Sequence, residues 1–368
     1  MKALYVVSHA VPSGPINQAL NILMGMKLNN SVSDCLVTIN SNNRKDNWIN
    51  RFYEKGIRVI QLDIKSRFCL FKAARLLRRI IISEKIDIVH CSGFRVSIIC
   101  MLASKGHCSV VSTIRSEPDA VSELFPVVFR TLIRKIWIYT IERIPIRVAC
   151  SKAMQRSYSQ DYNINMECVQ NGVDTDYFIP LTGENKSALR KKIGIKDVRT
   201  FLVLGLLLPR KNNALIIDAF KSIDNSVGQL LIVGGGAEEA LLKKKAQNNP
   251  NIVFIGQTNN PLEYIQASDI LISASLSEGL PNTVLEGLSC GLIPILSDIE
   301  PHRELVEESK ISHLFIRNSV ESLTTLLKET SKWDCVEQSR CARELALSRY
   351  GVRALAYHYE KIYEKHLR

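Results

Sequence analysis

Two carboxylates, Glu278 and Glu286, bracket the start of a helix in SLSEGLPNTVLEGLSCG, residues 275–291. An apolar run, Ile270–Ala274, feeds a tight loop, and a helix is predicted to open near Pro281. Proline suits the first helical position, where its missing N–H would be unpaired in any case. The amides of Asn282, Thr283 and Val284 would then face outward at the positive end of the helix dipole, a seat for phosphate. Carboxylates beside such a seat do not bind phosphate. They accept hydrogen bonds from sugar or ribose hydroxyls, worth about 1.5–3 kcal/mol each when charge-assisted. The same residues read equally well as a helix cap at Glu278 and a solvated helix face at Glu286.

A second group is basic. In FLVLGLLLPRKNNALIIDAF, residues 201–220, an apolar strand ends at Gly205 and is followed by Arg210 and Lys211 in a connecting loop. Cations at a strand's carboxyl end, facing the helix start of a neighbouring unit, suit a diphosphate. Two surface-loop cations are the alternative. Ser13-Gly14-Pro15 precedes the first helix, where glycine lets backbone approach a ligand closely. His9 and His90 fall at predicted strand ends and read as structural.

These groups need a frame. Short apolar runs alternate with helical patterns along the chain, as βα units around a parallel sheet do. In the first half the strands are predicted at Ala3–Ser8, Cys35–Ile39, Ile57–Leu62, Ile86–His90, Ser109–Thr113 and Val148–Ala149, with helices such as Ile16–Leu28 and Cys69–Glu84 between them. After the polar turn QNGVDTDYF (170–178) and a charged stretch, Glu184–Lys196, a fresh series begins. It comprises Thr200–Gly205, Gln229–Val233, Ile252–Ile255, Ile270–Ala274 and Ile293–Ser297. The reading is α/β, two doubly wound domains joined near residue 180, with ligands beyond the carboxyl ends of the strands. Residues 331–368 read as helical, with a break at Tyr350–Gly351.

Bulk properties narrow the classes. The 368 residues are 46% hydrophobic, enough for two cores of ordinary size. Ten cysteines are scattered without a CxxC pair, against a zinc or thioredoxin-type motif and in keeping with a reducing cytoplasm. No uncharged apolar stretch approaches the roughly 20 residues that span a bilayer, and the N-terminus reads as a first strand rather than a signal peptide. The net charge of +12 is uneven, +10 over residues 1–180 and +2 over 181–368. Residues 121–147 combine Phe125, Phe129, Trp137 and Tyr139 with Arg130, Arg134, Lys135, Arg143 and Arg147. A helix of that composition suits an anionic membrane interface, or else is a core helix with a solvated basic face. Nucleic acid is disfavoured, since no recognition motif accompanies the charge. A dehydrogenase is disfavoured too, because Glu239 stands where the third glycine of GxGxxG would follow Gly234 and Gly236.

Glu278 and Glu286 within EGLPNTVLEGLSCG resemble the EX7E element of the retaining glycosyltransferases of family 4. NGVDTDYFIP (171–180) is similar to that family's domain-junction signature. LGLLLPRKN, IVGGG (232–236) and VFIGQTNN (253–260) follow in the family's order. DIVHCSGFR (87–95) and STIRSEP (112–118) look like bacterial surface-polysaccharide members. The resemblance implies a GT-B fold, two Rossmann-like domains facing each other across a cleft. An acceptor-binding domain would span 1–180, a nucleotide-sugar domain 181–350, and a final helix 351–368 would pack back on the first domain.

By the same resemblance Glu278 lies against the donor sugar, Glu286 binds the ribose, and the backbone of Gly279, Leu280, Pro281, Asn282 and Thr283 holds diphosphate and sugar. Lys211 falls on the phosphate-binding lysine, and the backbone at Gly14 covers the donor phosphate. Two positions depart from the pattern. Leu206 stands where an arginine follows the strand-ending glycine, with Arg210 a substitute from another angle. Arg115 stands where many members carry a histidine, and a guanidinium can only hold donor, acceptor or leaving phosphate by charge. Asp174-Thr175-Asp176, the one Asp-x-Asp, lies in the junction signature, so no metal or other cofactor is expected.

The implied activity is retaining transfer of a hexose or N-acetylhexosamine, from a UDP-sugar by preference, to a polyprenyl-diphosphate-linked saccharide of O-antigen or capsule synthesis. The expected location is cytoplasmic, peripheral at the inner face of the membrane. A sugar-nucleotide epimerase of the same fold, or a non-catalytic nucleotide-sugar-binding subunit, would share these features. The first turns over donor without acceptor; the second binds donor without transfer.

Overall fold

Fully apolar strands such as LLIV and IPIL belong to parallel sheets covered by helices on both faces. The computed structural model describes residues 1–30, 35–40, 47–66, 69–122, 125–247, 249–307 and 309–367. Two units result, one from Met1–Gly172 with Val352–Arg368, the other from Val173–Gly351.

In the first unit the strands are β1 (Ala3–Val7), β2 (Cys35–Asn40), β3 (Arg58–Ile64), β4 (Ile88–Ser92), β5 (Ser109–Ile114), β6 (Ile146–Ala149) and β7 (Glu167–Cys168). They pair in parallel in the order β3-β2-β1-β4-β5-β6-β7. In the second unit β8 (Thr200–Leu204), β9 (Gln229–Val233), β10 (Ile252–Gly256), β11 (Ile270–Ser273), β12 (Ile293–Ser297) and β13 (His313–Phe315) run in the parallel order β10-β9-β8-β11-β12-β13. Each sheet therefore winds outward from one strand and then back to its other side. The reversal lies between β1 and β4 in one sheet and between β8 and β11 in the other. At such a point the loops leaving the two strands diverge and open a crevice at their carboxyl ends.

β7 and β13 go beyond the predicted strands. Both are short edge strands, too brief for an apolar pattern to mark them. The helix predicted over 121–147 is interrupted: helices span Pro118–Ser122 and Val127–Arg143, with Pro126 at the start of the longer one and Arg147 already in β6. Glu123 and Leu124 of that stretch lie outside the described residues. Proline disfavours helical backbone at the residue before it, so one continuous helix could not form there.

The division falls at 172/173 because Val173 and Phe178 enter the core of the second unit, and Val173 N–H donates to the Tyr350 carbonyl at 2.7 Å. The chain returns to the first unit through the helix Val352–Leu367, which packs on the helix Gly14–Leu28. Gly25 makes that approach possible: a Cβ there would stand 2.1 Å from the Val352 carbonyl oxygen. No helix among the described residues is long and apolar enough to cross a membrane.

Candidate active site

Two loops of the second unit carry its charged groups, one after β8 and one after β11, the adjacent strands at the reversal. The first loop turns at Gly205 (φ +134°) and closes with the short turn Pro209–Lys211. It is backed by the loop after β9. A Cβ on Gly234 would lie 1.9 Å from the Gly205 carbonyl oxygen, so only glycine lets the two loops meet. That contact gives the Gly234–Gly236 run a packing role. Leu276 N–H donates to the Arg210 carbonyl at 2.8 Å and ties the loops after β8 and β11 together.

Where the loops join, Lys211 Nζ donates to Oε1 of Glu278 at 2.5 Å, and Ser275 Oγ donates to the same oxygen at 2.8 Å. Arg210 Nη1 reaches Oε2 at 3.4 Å and the Ser277 carbonyl at 3.3 Å. The Glu278 side chain is only 9% exposed. Burial pushes its pKa up, but the Lys211 ammonium, with Arg210 and the Ser275 hydroxyl, outweighs burial and holds it below the ordinary glutamate value. Glu278 is thus an ionised carboxylate at neutral pH. Leu206, at the position of the missing arginine, is 60% exposed, and Arg210 brings a guanidinium to this carboxylate from four residues further on.

A polar shell of serines and a histidine stands behind Glu278, and sequence reasoning did not find it. Ser297 Oγ donates to the Ser275 carbonyl at 2.6 Å. His302 Nδ1 lies 2.8 Å from the Ser297 carbonyl, so that nitrogen carries the proton. Its Nε2 then accepts from Ser273 Oγ at 3.3 Å. Burial pushes the His302 pKa down to about 4, against the Ser297 carbonyl and the Glu278 charge. A neutral, fully enclosed ring supports the two serine positions that frame Glu278.

The helix that follows spans Asn282–Ser289, with Pro281 as its N-cap rather than its first helical residue. The Val284 N–H donates to the Pro281 carbonyl at 3.2 Å, so it does not face outward as expected. Glu286 lies on this helix, partly exposed, and Gly279, Leu280 and Pro281 form the turn into it. A shallow open recess is lined by Gly205, Lys211, Asn213, Ser273, Ser275 and Thr283. It lies at the carboxyl ends of β8 and β11, beside a cationic pair and a helix start. Nucleotide phosphates and sugar hydroxyls find both partner types there.

In the first unit Gly14 is exposed and begins its helix, with Ser13 as N-cap. Arg115 follows β5 and is partly buried. Its Nη1 donates to Oδ1 of Asn171, and the Tyr5 hydroxyl lies close to the guanidinium. His90 is structural: its ring bridges Tyr363 and Thr113 at 2.7 Å each, and Thr113 continues to Tyr359 at 2.8 Å. Asp174 Oδ1 accepts from the amides of Asp176 at 3.2 Å and Tyr177 at 3.1 Å and so caps the junction turn. Among the described residues no three His, Cys, Asp or Glu side chains converge to hold a metal.

Residues 185–341 match the family described as glycosyl transferases group 1, and residues 37–177 match glycosyltransferase family 4. The chain belongs to the family 4, group 1 glycosyltransferases. It is 28% identical to an Escherichia coli UDP-Gal:alpha-D-GlcNAc-diphosphoundecaprenol alpha-1,3-galactosyltransferase, over 72% of this chain and 70% of that protein. It is 25% identical to the Staphylococcus aureus capsular polysaccharide biosynthesis glycosyltransferase CapH, over 70% and 71%. Among solved structures, Anabaena Alr3699/HepE in complex with UDP-glucose superposes with a TM-score of 0.82 at 15% identity, covering 99% of this chain and 100% of that one. A Rickettsia africae ESF-5 glycosyltransferase gives 0.79 at 19%, covering 100% and 98%. The two parallel sheets of this glycosyltransferase are the Rossmann-like domains of the GT-B fold.

Proposed function

We propose that this glycosyltransferase moves a hexose or N-acetylhexosamine from a UDP-sugar to a polyprenyl-diphosphate-linked saccharide, with retention at the anomeric carbon and without a metal. The observation that carries the reading is the convergence of Lys211 and Arg210 on buried Glu278 at the reversal between β8 and β11. A diphosphate in the recess would draw the two cations from the carboxylate. Glu278 would then be free to accept hydrogen bonds from sugar hydroxyls.

In the step proposed, the bond between the anomeric carbon and the phosphate oxygen breaks and UDP departs. Its new charge is received by Lys211, Arg210 and the amides at the Asn282 helix start. Fixed charge of this kind is commonly the largest catalytic contribution. The acceptor hydroxyl attacks the same face, and its proton passes to the departing phosphate oxygen. No side-chain carboxylate is assigned as a covalent nucleophile. Glu286 is assigned to the ribose, Gly279–Thr283 to diphosphate and sugar, Gly14 to the donor phosphate, and Arg115 to an anionic group of either substrate.

The lipid-linked acceptor is supported by the diphosphoundecaprenol-linked acceptor of the E. coli relative and by a surface of the first unit. The Val127–Arg143 helix exposes Val128, Phe129, Leu132 and Tyr139 beside Lys135 and Arg143, and the Leu70–Glu84 helix exposes Phe71 beside Lys72 and Arg75. Apolar anchors ringed by cations match an anionic bilayer surface. Co-sedimentation with phosphatidylglycerol vesicles at low salt tests this, and a protein left in the supernatant would remove the membrane from the reading.

The donor is tested with a panel of sugar nucleotides. One UDP-sugar is expected to raise the thermal midpoint and to be turned over, with the α-anomeric configuration kept in the product. Stabilisation by none of the UDP-sugars, or an inverted product, would overturn the corresponding part.

A further inference from the structure

The guanidinium of Arg115 is held by a neutral group. Its Nη1 donates to the Asn171 amide oxygen. The ionisable groups that bear on it most are the phenols of Tyr5 and Tyr359 and the thiol of Cys150, none of them a carboxylate. The Tyr5 hydroxyl lies close to the guanidinium as a second neutral group. Among the described residues no carboxylate pairs with this partly buried cation, and such burial is costly. An arrangement that keeps one in place leaves a charge available to an anion.

Asn171 is itself fixed. It is 6% exposed, just beyond β7, and the next residue is pinned on both sides of its peptide unit. The Gly172 carbonyl accepts from Gln18 Nε2 at 2.7 Å and Asn21 Nδ2 at 2.8 Å, and the Gly172 N–H donates to Gln18 Oε1 at 3.0 Å. Gln18 and Asn21 are buried on the helix that begins at Gly14. The Asn171-Gly172 pair thus joins the Gly14 helix through its backbone to Arg115 through its side chain, immediately before the chain passes to the second unit.

We propose that Asn171 is a positioning residue: its amide oxygen fixes the Arg115 guanidinium for glycosyl transfer while leaving the positive charge uncancelled for an anionic group of the substrates. A carboxylate at the same place would orient the guanidinium equally well but neutralise it. The inference rests on the reading above that Arg115 serves the reaction.

The test is a double-mutant cycle on the full chain with the UDP-sugar that the panel selects, following UDP release. Arg115→Ala, Asn171→Ala and Asn171→Asp are measured singly, and each Asn171 change is repeated in Arg115→Ala, with thermal midpoints alongside. All three single variants are expected to lose at least about tenfold in kcat/KM, on the same parameter, kcat or KM. In the Arg115→Ala background the Asn171 changes are expected to cost less than about twofold, because their effect runs through the missing guanidinium. Asn171→Asp is nearly isosteric and guards against a merely unfolded alanine variant. Losses that multiply in the double variants, or near-normal Asn171→Asp activity, would overturn the proposal and leave Arg115 in place. Near-normal Arg115→Ala would remove Arg115 from the reaction, and Asn171 with it.

Discussion

Lys211 and Glu278 form a hydrogen-bonded ion pair across two loops that leave adjacent parallel strands, with Ser275 on the same carboxylate oxygen. Neither residue is aimed at bulk water, and each limits where the other can point. The pair keeps a cation and an anion side by side at a recess that both substrate groups, diphosphate and sugar, can use.

Removing the lysine separates its two roles. Lys211→Ala is expected to lower turnover by about 100-fold or more, the scale of one preorganised charge in an active site. It should also lower stability, because buried Glu278 would keep only the longer Arg210 contact and the neutral Ser275 hydroxyl. Adding Glu278→Gln should restore the thermal midpoint and leave activity low. Near-normal turnover in Lys211→Ala would take Lys211 out of the site.

The buried histidine makes stability depend on pH. The folded pKa of His302 is about 4, below the ordinary value of about 6.5. The unfolded chain therefore binds the proton first as pH falls. Its contribution is complete above about pH 6.5 and is lost as pH drops toward 4, on the order of 3 kcal/mol for a shift of that size. His302→Gln should lose less of its thermal midpoint between pH 7.5 and 4.5 than the wild type does. Equal slopes would show that His302 is not held neutral.

Gly25 offers a structural test. A methyl group there meets the Val352 carbonyl, so Gly25→Ala must push the C-terminal helix away. A loss of about 1–3 kcal/mol or more is expected from such overpacking, although alanine is the better helix former. Denaturant unfolding measures it, and a neutral or stabilising effect would mean the two helices pack less closely.

Metal removal checks the proposed handling of the leaving group. Full activity is expected in excess EDTA, since Lys211, Arg210 and the helix start are assigned the departing diphosphate. Loss of activity restored by a divalent ion would reinstate a metal-assisted step.

The strands were legible where apolar runs were long: Gln229–Val233 and Ile293–Ser297 fall on β9 and β12 without adjustment. Two- and three-residue edge strands such as β7 and β13 leave no periodic trace. Pro281 was visible, but whether proline caps a helix or opens it depends on backbone angles that residue types do not encode. The charged residues of the second unit stood out through their loops. Ser275, Ser297 and His302, which frame Glu278, are small or neutral and come from the loop after β11, the end of β12 and the helix after β12, so nothing local marks them. Asn171 sat within a motif visible in the sequence, yet its partner lies 56 positions away, and only the folding of the sheet brings β5 and the end of β7 together.

The discontinuity of the first unit has a consequence for synthesis. Domains tend to fold as they leave the ribosome, N-terminal first. Here the first sheet emerges early but lacks Tyr359 and Tyr363, which hydrogen-bond Thr113 and His90, until every residue of the second unit has been translated. The unit encoded later can therefore mature sooner. The nascent first sheet meanwhile waits with a bare flank along the Gly14–Leu28 helix, the period in which a chaperone has the most to do.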